Sequence, residues 1–420
     1  MSFTQANNQG VGRWALGVAL DGSDSTPDAQ RPTPNAPVWD APDLRALNEL
    51  MLDPQDVANR PNTWGLHIDD LLRMATERRA SDLHLSEGLP PMLRLDGRLV
   101  KMEFDPLPCS EIQRLVYDVL SNPQIQQFEK THELDFSYGL QGVGRFRFNV
   151  YRQRNCVSAA MRAIPTRIPT IEELRLPSTL RDLVRRPSGL ILVTGATGAG
   201  KSTTLAALLH AINQERECHI LTIEDPIEYV HTHARAMINQ REIGADTDSF
   251  RNALRAVLRE DPDVILVGEL RDLETISAAV TLAETGHLVL GTLHTRNAPQ
   301  TIDRLVDVFP SNQQDQIKVQ LANCLEAVLA QQLLPRNGGG RIAAMEIMIA
   351  TSGVRNLIRE GKSEQLSSLI ETGAQQGMQT MDRTLVDLFR QGIISRDVAA
   401  GASIDRDNFD RLLRARSAGI

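Results

Sequence analysis

Residues Gly195-Ala-Thr-Gly-Ala-Gly-Lys201-Ser202 spell G-x-x-x-x-G-K-S between an apolar run, Leu190–Thr194, and a helical pattern over Ser202–Ile212. A glycine-rich turn between a buried strand and a helix lets the backbone curl so that successive N–H groups face one concavity. The helix N-terminus adds partial positive charge there. This is the chemistry of phosphate binding, and the loop residues Gly195, Ala196, Thr197, Gly198, Ala199, Gly200, Lys201, Ser202 and Thr203 are the expected cradle of a nucleotide. Lys201 is placed to reach the β and γ phosphates, and the Ser202 hydroxyl to ligate Mg²⁺.

The surroundings agree. Apolar strands are predicted at Gly189–Thr194, His219–Glu224, Val264–Gly268 and His287–Leu293. Between them run helical patterns, such as Phe250, Leu254, Val257 and Leu258 ending at Pro262, and a helix from near Asp272 capped by Gly286. Such alternation predicts an α/β fold, a parallel sheet with helices on both faces. Ser311–Gln314 reads as a capping box opening a long amphipathic helix. Ile342–Met348 reads as a strand, with short helices after it.

Upstream the pattern changes. Ile68, Leu71, Leu72 and Ala75 make one helical face. Asp82–Leu85 alternates, and Asp96-Gly97 between Leu93–Leu95 and Arg98–Met102 signals a hairpin. One or two helices over about 110–129 and strands at Glu133–Tyr138 and Arg145–Arg154 complete a small α+β unit. The expected organisation is a disordered or weakly ordered extension over 1–64, an α+β domain over 65–164, a proline-punctuated linker over 165–186, an ATP-binding core over 187–350 and a helical region over 351–420. The extension holds seven of the 21 prolines and four Arg against eight Asp/Glu, without a sustained period except a short one over Asp43–Met51.

Composition removes several alternatives. The net charge of −8 over 420 residues and an aromatic content of 4% argue against a basic, stacking nucleic-acid surface, so no nucleic acid is expected. Cys109, Cys156, Cys218 and Cys324 are scattered, without C-x-x-C pairs or histidines at ligand spacing, which suits a reducing compartment and predicts no zinc. Trp14–Leu20 is too short and lacks the flanks of a signal peptide, and no run approaches a bilayer span. The expectation is a cytoplasmic protein.

Acidic residues stand where strands end. Glu269 follows Val264–Gly268 at the carboxyl edge of the sheet, and its length suits holding Mg²⁺ through a water. Thr222-Ile-Glu224-Asp225-Pro-Ile-Glu228 puts three acids within five residues, which repel unless they face cations. One of them is the natural candidate to orient an attacking water. His287 and His294 bracket a strand seven residues apart, an odd offset that turns them to opposite faces. Arg145, Arg147, Arg152, Arg154 and Arg162 crowd the end of the first domain; they read either as a solvated face or as cations for developing γ-phosphate charge.

Taken together, Ala80–Pro91, the loop at 195–203, Ile223–Tyr229, Arg259–Asp263, Gly268–Ser277 and Thr285–Thr295 resemble the secretion and type IV pilus motor ATPases, in particular the PilT-type retraction ATPases. The resemblance covers about residues 65–403. It implies a PAS-like amino-terminal domain joined to a RecA-like ATPase core, six subunits in a ring, and ATP and Mg²⁺ bound between domains. It also implies an inner-membrane platform protein as partner, a second pilus motor as another, and a place at the cytoplasmic face of the inner membrane. Carried over, Glu228 is the water-activating glutamate with Glu224 assisting, Glu269 the Walker B glutamate, and His287 and His294 the histidine box. Arg147 and Arg162 are the arginine fingers, with Arg145 and Arg154 further candidates. Absence of a four-cysteine zinc motif favours retraction over extension. So does Gly353-Val354-Arg355-Asn356-Leu357-Ile358-Arg359-Glu360, which resembles the retraction signature Ala-Ile-Arg-Asn-Leu-Ile-Arg-Glu with two departures. Those departures leave an accessory, assembly or secretion motor of the same family as the alternative.

Overall fold

Two sheets organise the chain in the computed structural model, which describes Thr63 and residues 65–415. The extension expected over 1–64 lies, apart from Thr63, outside the described residues.

The first sheet is antiparallel throughout. Its strands are β1 (Asp82–Leu85), β2 (Met92–Leu95), β3 (Arg98–Lys101), β4 (Glu133–Leu140), β5 (Gly144–Gln153) and β6 (Cys156–Ile164), in the order β3-β2-β1-β6-β5-β4. Asp96 and Gly97 turn the β2–β3 hairpin with φ of 47° and 83°, as the Asp-Gly pair predicts. Helices α1 (Ile68–Glu77), α2 (Cys109–Tyr117) and α3 (Asn122–Thr131) cover one face. Ile68, Leu71, Leu72, Leu115 and Phe128 pack there on Leu83, Phe146, Phe148 and Val150. The other face keeps the arginines. β6 is a strand beyond those read from the sequence; Arg154 and Asn155, both at positive φ, turn the chain into it.

The second sheet has the order β13-β12-β7-β11-β10-β8-β9. Its members are β7 (Gly189–Thr194), β8 (His219–Glu224), β9 (Met237–Glu242), β10 (Val264–Val267), β11 (Leu288–Leu293), β12 (Leu325–Pro335) and β13 (Arg341–Ile349). All neighbours are parallel except β12 and β13. Successive residues of β7 serve opposite layers. Leu190 and Leu192 join the core beneath α6 (Phe250–Val257), α7 (Leu273–Glu284), α8 (Ala298–Asp307) and α9 (Ser311–Cys324). Ile191 and Val193 meet α4 (Thr179–Val184) and α5 (Lys201–Glu215) on the other side. A strand apolar on both faces is what a doubly covered parallel sheet requires.

Four of these expectations gain detail or correction. The segment 165–186 is more than a linker, because it contains α4 and buries Ile171, Leu180 and Leu183 against the second sheet. The helical region past 350 is divided: α10 (Ser352–Glu360) and α11 (Leu366–Thr372) complete the core under α8 and α9, whereas α12 (Met381–Arg390), α13 (Arg396–Ala402) and α14 (Arg406–Arg414) close over the β12–β13 hairpin. Ser311 and Gln314 do not form a capping box. Pro310 occupies the N-cap, and the Gln314 amide donates instead to the Phe309 carbonyl at 3.2 Å. Finally, the cysteines are not all isolated. Cys109 begins α2 and Cys156 begins β6, and the fold joins them in a disulfide across 47 residues.

Candidate functional site

A cleft of about 690 Å³ opens at the carboxyl ends of β7, β8, β10 and β11. This is where an open α/β sheet presents its loops to ligand. Thr197, Gly198, Gly200, Lys201, Ser202 and Thr203 form one wall. Glu224, Asp225, Glu228, Glu269, Arg271 and His294 form another, and Arg162 reaches in from the first sheet.

The glycine-rich loop is held by its neighbours as well as by its own glycines. Gly195 sits at φ 142°, and a Cβ there would stand 2.3 Å from the Gln331 carbonyl oxygen, so no side chain fits. The Gln331 side chain, buried on β12, donates from Nε2 to the Ala199 carbonyl at 2.6 Å and accepts from Thr204 Oγ1 at 2.8 Å. Lys201 Nζ donates to the Gly195 and Ala196 carbonyls at 2.9 and 3.2 Å. Burial pushes the Lys201 ammonium below the usual lysine range, while the charges of Glu269 and Glu228 oppose that shift. Thr203 Oγ1 meets the Tyr229 hydroxyl at 2.9 Å, which ties the loop's helix to the acidic segment.

The acids differ in environment. Burial pushes the Glu224 carboxyl above the usual range, opposed by hydrogen bonds from Thr222 Oγ1 at 2.7 Å and Gln240 Nε2 at 3.2 Å. Its other oxygen accepts from the Glu228 N–H at 3.5 Å, so Glu224 braces the turn that carries Glu228. The Glu228 residue itself is exposed to the cleft. Gly268 lies against the end of β8, where a Cβ would stand 3.2 Å from the Ile223 carbonyl oxygen. Glu269 is held low, chiefly by Arg271 Nη2 at 2.7 Å, with His294 Nε2 at 3.1 Å and the Lys201 charge adding to the effect. Ser202 and Glu269 are oxygen donors facing one cleft, and Glu269 is paired there with Arg271. This set fits Mg²⁺, which keeps waters and substrate phosphates as most of its ligands.

The remaining candidates separate. His294 joins the acids, but His287 lies at the far end of β11, where its Nδ1 meets the Leu282 carbonyl at 3.0 Å, and it does not line the cleft. Arg147 and Arg162 face each other across β5 and β6. Arg162 is paired with Asp82 at 2.8 Å and lines the cleft, whereas Arg147 points toward Asp135 at 3.9 Å and is not part of its wall. Arg152 pairs with Glu129 at 2.5 Å. Sequence reading missed Gln331, Gln240, His231 and Arg271. Burial holds His231 down at about 4, and its Nδ1 has no partner although the residue lines the cleft. Only the charge of Arg271, two residues past Glu269, was a usable signal.

With this geometry in hand, comparison with known proteins is decisive. Residues 67–339 match the family described as Type II/IV secretion system protein. The chain belongs to that family. Within it, the chain is 49% identical over 344 residues to the type IV pilus retraction ATPase PilT of Pseudomonas aeruginosa, covering 82% of this chain and all of the relative. It is 48% identical over 310 residues to a twitching motility protein of Neisseria gonorrhoeae, covering 74% and 83%. The crystal structure of the pilus retraction motor PilT with bound ADP superposes with a TM-score of 0.77, over 82% of this chain and 99% of that one. The Legionella pneumophila ATPase DotB, 30% identical, gives 0.67 over 81% and 95%. The fold is therefore that of a PilT-type secretion ATPase, a RecA-like core with its PAS-like domain. Among the described residues no helix is long and apolar enough to cross a membrane.

Proposed function

We propose that this chain is an ATP-hydrolysing, Mg²⁺-dependent motor that works as a homohexameric ring and powers type IV pilus retraction from the cytoplasmic face of the inner membrane. The observation that carries the reading is the convergence of Lys201, Ser202, Glu228, Glu269, His294 and Arg162 on one cleft. Lys201 and the loop N–H groups hold the β and γ phosphates, and Glu228 orients water for in-line attack while Glu224 braces its turn. Ser202 and Glu269 would hold Mg²⁺, which would supply positive charge beside the phosphates. His294, seated on Glu269, senses the γ-phosphate, and Arg162 stabilises its developing charge. Because Arg162 comes from the first domain, closure of that domain completes the site, and turnover is coupled to movement. The platform protein that anchors the pilus is the partner on which the movement acts.

A second reading has its own support. The chain is 42% identical over 349 residues to the type IV pilus ATPase PilU of Pseudomonas aeruginosa, so an accessory motor acting beside another retraction ATPase is the alternative. ATPase assays on the purified chain, with and without Mg²⁺ and nucleic acid, test the chemistry. Glu228→Gln should bind ATP and lose about 10²–10⁴-fold in turnover; wild-type turnover in that variant overturns the assignment. Deletion in the host tests the role: surplus, non-retracting pili support a retraction motor, and loss of pili supports an assembly motor.

A further inference from the structure

Glu242, the last residue of β9, is 4% exposed, and one of its carboxylate oxygens has two donors from different places. Arg145 Nη2 reaches Oε2 at 3.2 Å from β5 of the amino-terminal domain. The Ile227 N–H reaches the same oxygen at 3.0 Å from the acidic segment of the core. Ile227 is itself buried and immediately precedes Glu228. Around this point the two domains are held apart by an open cleft of about 600 Å³, lined by the β4–β5 turn on one side and by Ile227, Val230 and Gln240 on the other. Arg145 is the charged residue in that lining.

A buried carboxylate is stable only while it keeps a cation and its hydrogen bonds. Here the cation belongs to one domain and the backbone donor to the other. When the first domain docks, Arg145 pairs with Glu242 and fixes the oxygen that holds Ile227; when it swings away, that oxygen keeps the Ile227 amide and loses its cation. We infer that Arg145 and Glu242 form a strut that sets the position of Glu228 according to the placement of the amino-terminal domain, so that hydrolysis proceeds only in the docked arrangement. Glu242 is a positioning residue, and Arg145, which the sequence offered as a candidate finger, acts within its own subunit through Glu242. This inference rests on the reading of Glu228 as the residue that orients water.

The test is a double-mutant cycle on the full-length chain: Arg145→Gln, Glu242→Gln, their combination, and Arg145→Lys, each assayed for steady-state ATP turnover and for binding of a fluorescent ADP analogue. Each glutamine variant should lose about tenfold in kcat, which is about 1.4 kcal/mol of barrier, with ADP affinity within about twofold of wild type by the same arithmetic. The double variant should be no slower than the slower single one, and Arg145→Lys should recover part of the loss. Unchanged kcat in Arg145→Gln, multiplied losses in the double variant, or equal losses in affinity and turnover each overturn the strut. Arg145 is partly exposed, so its variants test the idea even if Glu242→Gln does not fold. Glu228→Gln, run alongside, separates the two claims: normal turnover there removes the underlying reading, while an inactive Glu228→Gln with an additive cycle removes the strut alone.

Discussion

Gln331 and Ala199, 132 residues apart, are joined by a hydrogen bond of 2.6 Å that fastens the middle of the glycine-rich loop to strand β12. The same side chain accepts from Thr204, so one carboxamide serves the loop and the first turn of the helix after it. Gln331→Ala would leave the Ala199 carbonyl and the Thr204 hydroxyl buried without partners, at about 1–3 kcal/mol for each orphan. The expected result is a lower melting temperature together with weaker ADP binding, measured by thermal denaturation and by titration. A variant that melts lower yet binds ADP normally would confine Gln331 to stability.

Lys201 is the cation inside the loop, half-withdrawn from water, with Glu269 and Glu228 as its nearest charged company. Lys201→Ala should abolish measurable turnover and weaken ADP or ATP binding, a loss on the order of 10²–10³ for one preorganised cation at phosphate. Nucleotide titration followed by a phosphate-release assay checks it.

Arg162 and Arg147 are cross-strand neighbours with different surroundings. Arg162→Ala should reduce kcat by about tenfold or more without altering ADP affinity comparably, the behaviour of a group that acts on transition-state charge. Arg147→Ala, whose side chain is outside the cleft wall, should do less in a subunit-dilute assay. Equal effects in that assay would show that both residues reach the same phosphate.

Glu224 has a pH signature. Burial raises its carboxyl above the ordinary value of 4.5, so in the window between 4.5 and the raised folded value the native chain holds a proton that the unfolded chain has released. Stability therefore falls as pH climbs through that window and is flat above it. Glu224→Gln, which carries no charge to bury, should lose this part of the slope. Glu346, also raised chiefly by burial, keeps its share in both proteins. Melting temperature against pH for wild type and variant measures the difference, and parallel curves would show that Glu224 is ionised at no cost.

The parts of the fold that could be read from the chain are those whose cause is local. The strand–loop–helix around Gly195–Ser202, the hairpin at Asp96-Gly97 and the arginine-bearing alternation of β5 follow from neighbouring residues alone. β12 resisted because Leu325–Pro335 is rich in good helix formers, and only the slot between β7 and β13 makes it a strand. β9, Met237–Glu242, carries so many polar residues because it is an edge strand, and it lacked the apolar run that marks its neighbours.

From the amino acids alone came the candidate chemistry: glycines that curl a backbone, a lysine and a serine beside them, acids stationed at strand ends. Those are properties of residue types at short spacing, and they hold wherever the segment folds. Which of these groups meet was settled by tertiary structure. It brought Arg162 and His294 into the cleft, kept His287 at the opposite end of the strand, and joined Gln331 to the loop and Arg145 to Glu242 across 132 and 97 residues. Short-range pattern carries no information about such distant partners, because their meeting depends on how two sheets and their helices pack.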